Sequence, residues 1–317
     1  MTFSWPHQPT TEAEFEKLMR AIDFDLNSRG FRPAQRPLTV GRLLWEAFGW
    51  GGNAFPPKDL ALQPGFEGQI LLAKAYRWYD LVYADQLNLD SSMGYAPVRL
   101  GNAIWKVRFG VAYGRLHLFL DRNLGNPGKT LGVEGRPATR NMLCAIDHLP
   151  QGLADRLTEA ELRSYGEFYA WAFDALIWRE QLPRMDLLNV ARGDYDASTQ
   201  DTLGRRYGQA RWGAQQATEK TIKGLLKVVG TAFPTGADGH RLLRLGELLS
   251  KACGITIPAD LLNVATCSAG IRYGEQPSTE EQALSANHAF LGILAQLRTN
   301  PNISSVLAAV HKTGRFP

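Results

Sequence analysis

The run Arg211-Trp212-Gly213-Ala214-Gln215-Gln216-Ala217-Thr218-Glu219-Lys220-Thr221-Ile222-Lys223-Gly224-Leu225-Leu226 has the period of a helix, not of a strand. It sits inside a predicted single helix from about Thr202 to Val229. Ala210, Ala214 and Ala217 line one stripe of that helix, and Ile222, Leu225, Leu226 and Val229 broaden it. Small side chains on a stripe let a second helix approach closely. The segment is also basic: Arg205, Arg206, Arg211, Lys220, Lys223, Lys227, Arg241, Arg244 and Lys251 face only Glu219, Asp238 and Glu247 between residues 205 and 251.

Moving outward toward the C-terminus, the loop from Pro234 to Gly239 breaks the chain. His240 then opens a helix containing Leu242, Leu243, Leu245, Leu248 and Leu249, and Leu261 to Ile271 continues apolar. Pro277-Ser278 with Glu281 has capping-box spacing ahead of Ala283, Ala286, Phe290, Ile293, Leu294 and Leu297. These elements predict an antiparallel helical bundle of four or five helices over residues 191–317.

Toward the N-terminus, Thr158 and Glu161 form another box before Leu162, Tyr165, Phe168, Tyr169, Ala172, Phe173 and Leu176, and Pro183 stops that helix. Residues 184 to 195 read as the passage between two domains, with the border near 190. Upstream of a Gly- and Pro-rich loop at 123–137, the period changes to two. Trp105, Val107, Phe109, Val111 and Tyr113 share a face, flanked by turn candidates at Gly101-Asn102 and Gly114-Arg115. With Val98 and Leu100 before and Leu116, Leu118 and Leu120 after, a three-stranded antiparallel meander is expected. A surface helix begins at Thr11, a short one covers Val40 to Phe48, and Phe66 to Leu87 should be buried on a wide face that includes Tyr79 and Val82. The fold class is therefore α+β, mostly α, with an α+β domain at 1–190.

The 317 residues suffice for two cores, and 44% hydrophobic with 21% charged residues fits a globular chain. Net charge is +4, a mild excess that permits nucleic-acid contact without demanding it. Cys144, Cys253 and Cys267 are odd in number and widely spaced, so neither a disulfide framework nor a metal pattern is expected. No cofactor is implied. The N-terminus lacks the basic and apolar regions of a signal peptide, no run is long enough to span a bilayer, and a cytoplasmic location is the expectation.

The run from Arg211 to Leu226, especially Gln215-Gln216-Ala217-Thr218-Glu219-Lys220, then His240 before a leucine-rich helix, then Ile271-Arg272-Tyr273-Gly274-Glu275, resembles the HEPN domains (higher eukaryote and prokaryote nucleotide-binding). The resemblance covers about residues 194 to 300. It implies an up-and-down helical bundle that dimerises, in a family that includes nucleotide-binding modules, RNases of toxin–antitoxin and phage-defence systems, and partners of nucleotidyltransferases. The RNase branch carries an arginine followed after four to six residues by a histidine. This chain lacks that spacing; the nearest pair, Arg140 and His148, lies outside the resembling region. A paired-aspartate nucleotidyltransferase signature is absent as well.

Several polar positions remain as candidates. Lys220 and Lys223, a turn apart, could hold one phosphate with Arg211 and Lys227 along the same helix; the competing reading is a solvated, salt-bridged face. His240 could contribute to that nucleotide- or RNA-binding surface, or cap a helix start. Arg272 and Tyr273, with Glu275 as ion partner, and His288 form the candidate catalytic set for an RNase; the competing readings are an internal ion pair and a core histidine. Arg99, Lys106, Arg108 and His117 make a basic sheet face able to follow a phosphate backbone, or a solvated face. Asn126-Pro127-Gly128-Lys129-Thr130 imitates a phosphate loop but lacks the helix that must follow it. The expected functions are thus a nucleotide- or RNA-binding regulatory or defence module, an endoribonuclease with a non-standard site, or a dimerising scaffold. Expected partners are a second copy, an RNA or nucleotide, and a nucleotidyltransferase or antitoxin.

Overall fold

Thr11 accepts the Glu14 backbone N–H and opens α1 (Glu12–Ser28) in the computed structural model, which describes residues 5–49, 55–87, 92–111, 115–129 and 137–313. With α2 (Arg36–Phe48) and α3 (Gly68–Tyr83), it forms the unit Met1–Ser91. The helical spacing of Phe15, Leu18, Met19, Ile22 and Leu26 buries all five against Val40, Leu44, Leu71, Leu72 and Tyr79. Val82, expected inside, is 51% exposed, because the buried face of α3 is narrower than its apolar content. Arg36 is 4% exposed and joins all three helices. Its Nη1 donates to Asp23 and to the Tyr83 hydroxyl at 2.8 Å each, its Nη2 to Asn27 at 2.7 Å, and its Nε to the Phe31 carbonyl at 3.0 Å. A buried guanidinium persists only when so fully satisfied.

The second unit is Ser92–Pro317. It opens with β1 (Ser92–Leu100) and β2 (Ala103–Gly110), an antiparallel hairpin turning at Gly101 with φ +57°. Val107 and Phe109 alternate inward as their period of two requires, and the Phe109 ring stacks 4.9 Å from Tyr169. The expected third strand does not join them. β3 (Leu116–Phe119) pairs in parallel with β4 (Ala138–Asn141) in a separate two-stranded sheet. The expected turn at Gly114-Arg115 and the strand end at Tyr113 fall in or against residues 112–114, outside the described residues. The outer edge of β1 is closed by side chains: Arg179 donates to the Met93 carbonyl at 2.6 Å, and His288 to the Pro97 carbonyl at 2.8 Å.

The rest is helical: α4 (Gln151–Ala154), α5 (Glu159–Gln181), α6 (Asp186–Leu203), α7 (Tyr207–Val228), α8 (Leu242–Cys253), α9 (Ala259–Ala265), α10 (Ala269–Arg272), α11 (Glu280–Arg298) and α12 (Pro301–Thr313). Thr158 and Glu161 cap α5 reciprocally, as expected. The box ahead of α11 is one residue later than expected, on Thr279 and Gln282. Two expectations fail together around residue 190. The supposed passage at 184–195 is mostly the first half of α6, and the supposed single helix from 202 starts only at Tyr207, after a turn in which Arg205 takes φ +60°. The border between units accordingly lies near residue 91 instead of 190, since one buried cluster runs from Ala96 to Leu307.

α6 and α7 form an antiparallel hairpin in which the small stripe has its anticipated effect. Ala210, Ala214 and Ala217 are fully buried. A Cβ on Gly213 would lie 3.0 Å from the Asp194 carbonyl oxygen, and one on Gly224 2.5 Å from a Leu188 methyl. The inward face of α6 is polar. Ser198 donates to the Ala210 carbonyl at 2.7 Å and accepts from Asn287 at 3.3 Å, and Arg192 donates to the carbonyls of Arg179 and Leu182, satisfying the end of α5.

Candidate functional site

On α7 the positions Gln215, Thr218, Glu219 and Ile222 follow the i, i+3, i+4, i+7 spacing of an inward face, and all four are buried. Glu219 therefore brings a carboxylate into the protein, 3% exposed. Two cations-in-waiting satisfy it. Lys223, one turn later, places Nζ 2.7 Å from Oε1, and His240 places Nδ1 3.1 Å from both carboxylate oxygens. His240 arrives on a single-turn segment, Gly236–His240, folded so tightly that a Cβ on Gly239 would stand 2.5 Å from the Pro234 carbonyl oxygen. Lys223 also lies 5.5 Å from the Phe233 ring centre.

This arrangement sets the imidazole's chemistry. A carboxylate only accepts, so the proton on neutral His240 belongs on Nδ1, and Nε2 keeps its lone pair. The side chain is 64% exposed while its carboxylate anchor is 4% exposed, and Nε2 has no partner among the described residues. A buried acid thus holds the tautomer and direction of a solvent-facing base, the orienting half of acid–base catalysis. Lys223 supplies an ammonium beside it, and Lys227, one turn on, is exposed without an ion partner among the described residues.

Lys223, Lys227 and His240 were legible as candidates; Glu219 was not, having been counted only as an opposing acid. Its signal was the i+4 relation to Lys223 on an otherwise buried stripe. Lys220 and Lys223 do not present paired ammonium groups to one ligand: Lys220 is bound 2.5 Å from Asp194 of α6. Arg211 reaches Ser278 and Gln282 near the start of α11, at 3.3 Å each. His240 does not cap α8, whose N-cap is Arg241 with no side-chain cap bond.

The proposed catalytic set is not assembled. Arg272 is exposed and lies over the rings of Trp212 and Tyr273, 4.7 and 5.3 Å from their centres, in place of the expected pairing with Glu275. Tyr273 is 69% exposed. His288 shares no partner with them; it donates from Nε2 to Pro97 and packs its ring 4.6 Å from Phe168. Burial pulls its pKa below the ordinary 6.5 and keeps it neutral at pH 7.

The basic sheet face is real in register but not in charge. Tyr95, Pro97 and Arg99 stand opposite Arg108, Lys106 and Ile104, so Arg99, Lys106 and Arg108 share a face. Arg99 is bound by Glu280 and Glu281 at 3.0 Å, while Lys106 and Arg108 both reach Asp147 at 3.4 Å. His117 is on β3, in the other sheet. The phosphate-loop imitation opens no helix: Gly128 takes φ +92°, Lys129 N–H donates to the Thr139 side chain at 2.9 Å, and Thr130 lies outside the described residues. Among the described residues no cluster of His, Cys, Asp or Glu is arranged to hold a metal, and no helix is long and apolar enough to cross a membrane. No family model, no curated protein and no solved structure matches this chain.

Proposed function

We propose that residues 92–317 contain a HEPN-type helical module that binds the phosphates of a nucleotide or RNA at the surface formed by His240, Lys223 and Lys227. The observation that carries this reading is the buried Glu219 carboxylate, which fixes one imidazole and one ammonium side by side at the end of α7. In its imidazolium form His240 donates from Nδ1 to that carboxylate and from Nε2 to phosphate. Lys223 has two further N–H donors, and Lys227 adds an unopposed charge. The resemblance supplies the wider setting: a homodimer through the bundle, a regulatory or defence role, and a nucleotidyltransferase or antitoxin as partner.

Polarisation of a labelled RNA oligonucleotide, titrated at several salt concentrations, tests it. Binding should weaken with salt, and Lys227→Glu should lower the logarithmic salt slope by about 1. His240→Ala should weaken binding at all sequences alike. Retention of full affinity in the double variant would leave a dimerising scaffold as the reading in its place.

The oriented imidazole favours one second reading, a metal-independent endoribonuclease at this same pair. Here His240 Nε2 takes the proton of an RNA 2′-hydroxyl, whose oxygen attacks the adjacent phosphorus and expels the 5′-oxygen, which takes a proton from water to leave as the hydroxyl. Cleavage of total RNA by the native chain, lost in His240→Ala and reduced in Glu219→Gln, is the expected result. Cleavage unchanged in His240→Ala refutes it.

A further inference from the structure

His288 is a half-buried titratable side chain that the Glu219 site does not use. It stands on α11 between two clefts. One, of about 630 Å³, runs along Phe168 of α5 and Val98 of β1; the other, of about 550 Å³, runs along Leu261 of α9 and Gly292 of α11. Trp171 of α5 lines both. Behind them, the Phe168 ring packs 4.6 Å from the imidazole and meets the Trp171 ring edge-on, 5.4 Å away at 89°. The indole and phenyl planes meet nearly at a right angle, the imidazole lies against the phenyl, and indole and imidazole both line the two clefts.

The hydrogen-bonding state of that imidazole follows from its partner. The Pro97 carbonyl can only accept, so Nε2 carries the proton. Nδ1 is left with a bare lone pair and no partner among the described residues. Burial disfavours the second proton that would remove this acceptor. The imidazole that lines both clefts therefore carries an unsatisfied acceptor beside aromatic surface.

Charge around the clefts selects further. Glu161 and Glu167 stand on the wall of the larger one, and its one cation, Arg99, is already held by Glu280 and Glu281. An anion placed here meets carboxylates with no free cation among the described lining residues to offset them. A flat ring gains contact with Trp171, and an N–H on that ring satisfies Nδ1.

We propose that the Trp171–His288 corner binds a planar nitrogen heterocycle that is neutral or cationic, bears an N–H donor, and carries no phosphate. The ring rests on Trp171 and its N–H donates to His288 Nδ1. This site is separate from the Glu219 surface, and the proposal holds whether or not that surface binds RNA.

The test uses the full chain with adenine as the probe, caffeine as a purine of similar shape without any N–H, and adenosine monophosphate as the anionic comparison. Binding is read from the Trp171 indole and His288 ring-nitrogen resonances. Adenine should shift both saturably. Caffeine should bind about ten-fold more weakly, the equivalent of one hydrogen bond, and adenosine monophosphate more weakly than adenine. His288→Leu should bring adenine down to the affinity of caffeine, and Trp171→Leu should remove both. Absence of any shift with adenine, equal affinities for adenine and caffeine, or preference for the monophosphate would each overturn the proposal. The three-ligand comparison requires no variant, so it decides the matter even if His288→Leu fails to fold.

Discussion

Neutralising Glu219 should expose how strongly the site is coupled to the fold. Its carboxylate holds Lys223 at 2.7 Å and His240 at 3.1 Å, with only 4% of the side chain exposed. Each hydrogen bond to a charged group contributes about 1.5–3 kcal/mol when shielded from water. The Lys223 side chain is 13% exposed and takes the upper part of that range; His240, at 64%, takes less than the lower end. Glu219→Ala should then cost about 3–4 kcal/mol, within the range for breaking a buried pair from one side. Glu219→Gln keeps the shape and should cost about 2 kcal/mol. Lys223→Met leaves the buried carboxylate with His240 as its one remaining partner among the described residues and should cost a similar amount. The two together remove both charges, so their sum should overstate the double variant by about 1–2 kcal/mol. Urea midpoints of the four proteins at constant m-value give that coupling directly. Strict additivity, or a loss below about 0.5 kcal/mol in Glu219→Gln, would refute the buried ion pair.

Three further outcomes follow from the geometry. Gly213→Ala should destabilise by about 1–3 kcal/mol in urea denaturation despite its better helix propensity, since the new methyl meets α6 backbone at 3.0–3.2 Å; a stabilised variant would mean the helices separate freely. Arg36→Met should cost about 2–4 kcal/mol by leaving Asn27 without this donor and Asp23 with only the Tyr83 hydroxyl, read as the loss of hydrogen-exchange protection in α1 and α2. His288 resists protonation when folded, so the unfolded chain binds its proton first as pH falls. Its contribution is present above pH 6.5 and declines below it, by at most about 1.4 kcal/mol per pH unit, toward the lower folded pKa. A urea midpoint in His288→Leu with the same acid dependence as the native chain would contradict this.

Much of the local structure was legible where side chains state their own partners. The Thr158–Glu161 box and the alternation of Val107 with Phe109 each specify a local geometry that packing then uses. α6 was hidden because its inward positions interrupt Leu188, Ala191 and Tyr195 with Arg192 and continue as Ser198, Thr199 and Thr202, so no sustained apolar period marks it. The partner of β3 was hidden because parallel pairing with the four residues Ala138–Asn141 depends on the intervening loop, not on either strand's pattern. The site divided the same way. Lys223 and His240 stood out as polar residues, but a count of cations cannot reveal that Lys220 has Asp194, 26 positions away, as its own acid. Missing α6 also misplaced the border, because the core passes through it.

The closure of β1 by His288 has a consequence for synthesis. The Pro97 carbonyl and the imidazole that satisfies it are separated by 191 positions. At translation rates of about 5–20 residues per second, the ribosome delivers α11 on the order of 10–40 s after the hairpin. For that interval the strand's outer edge has no native cover near Pro97. An open edge invites pairing with another nascent chain, but proline offers no N–H for such a ladder, so a wrong strand can donate to the waiting carbonyl yet receives no bond in return.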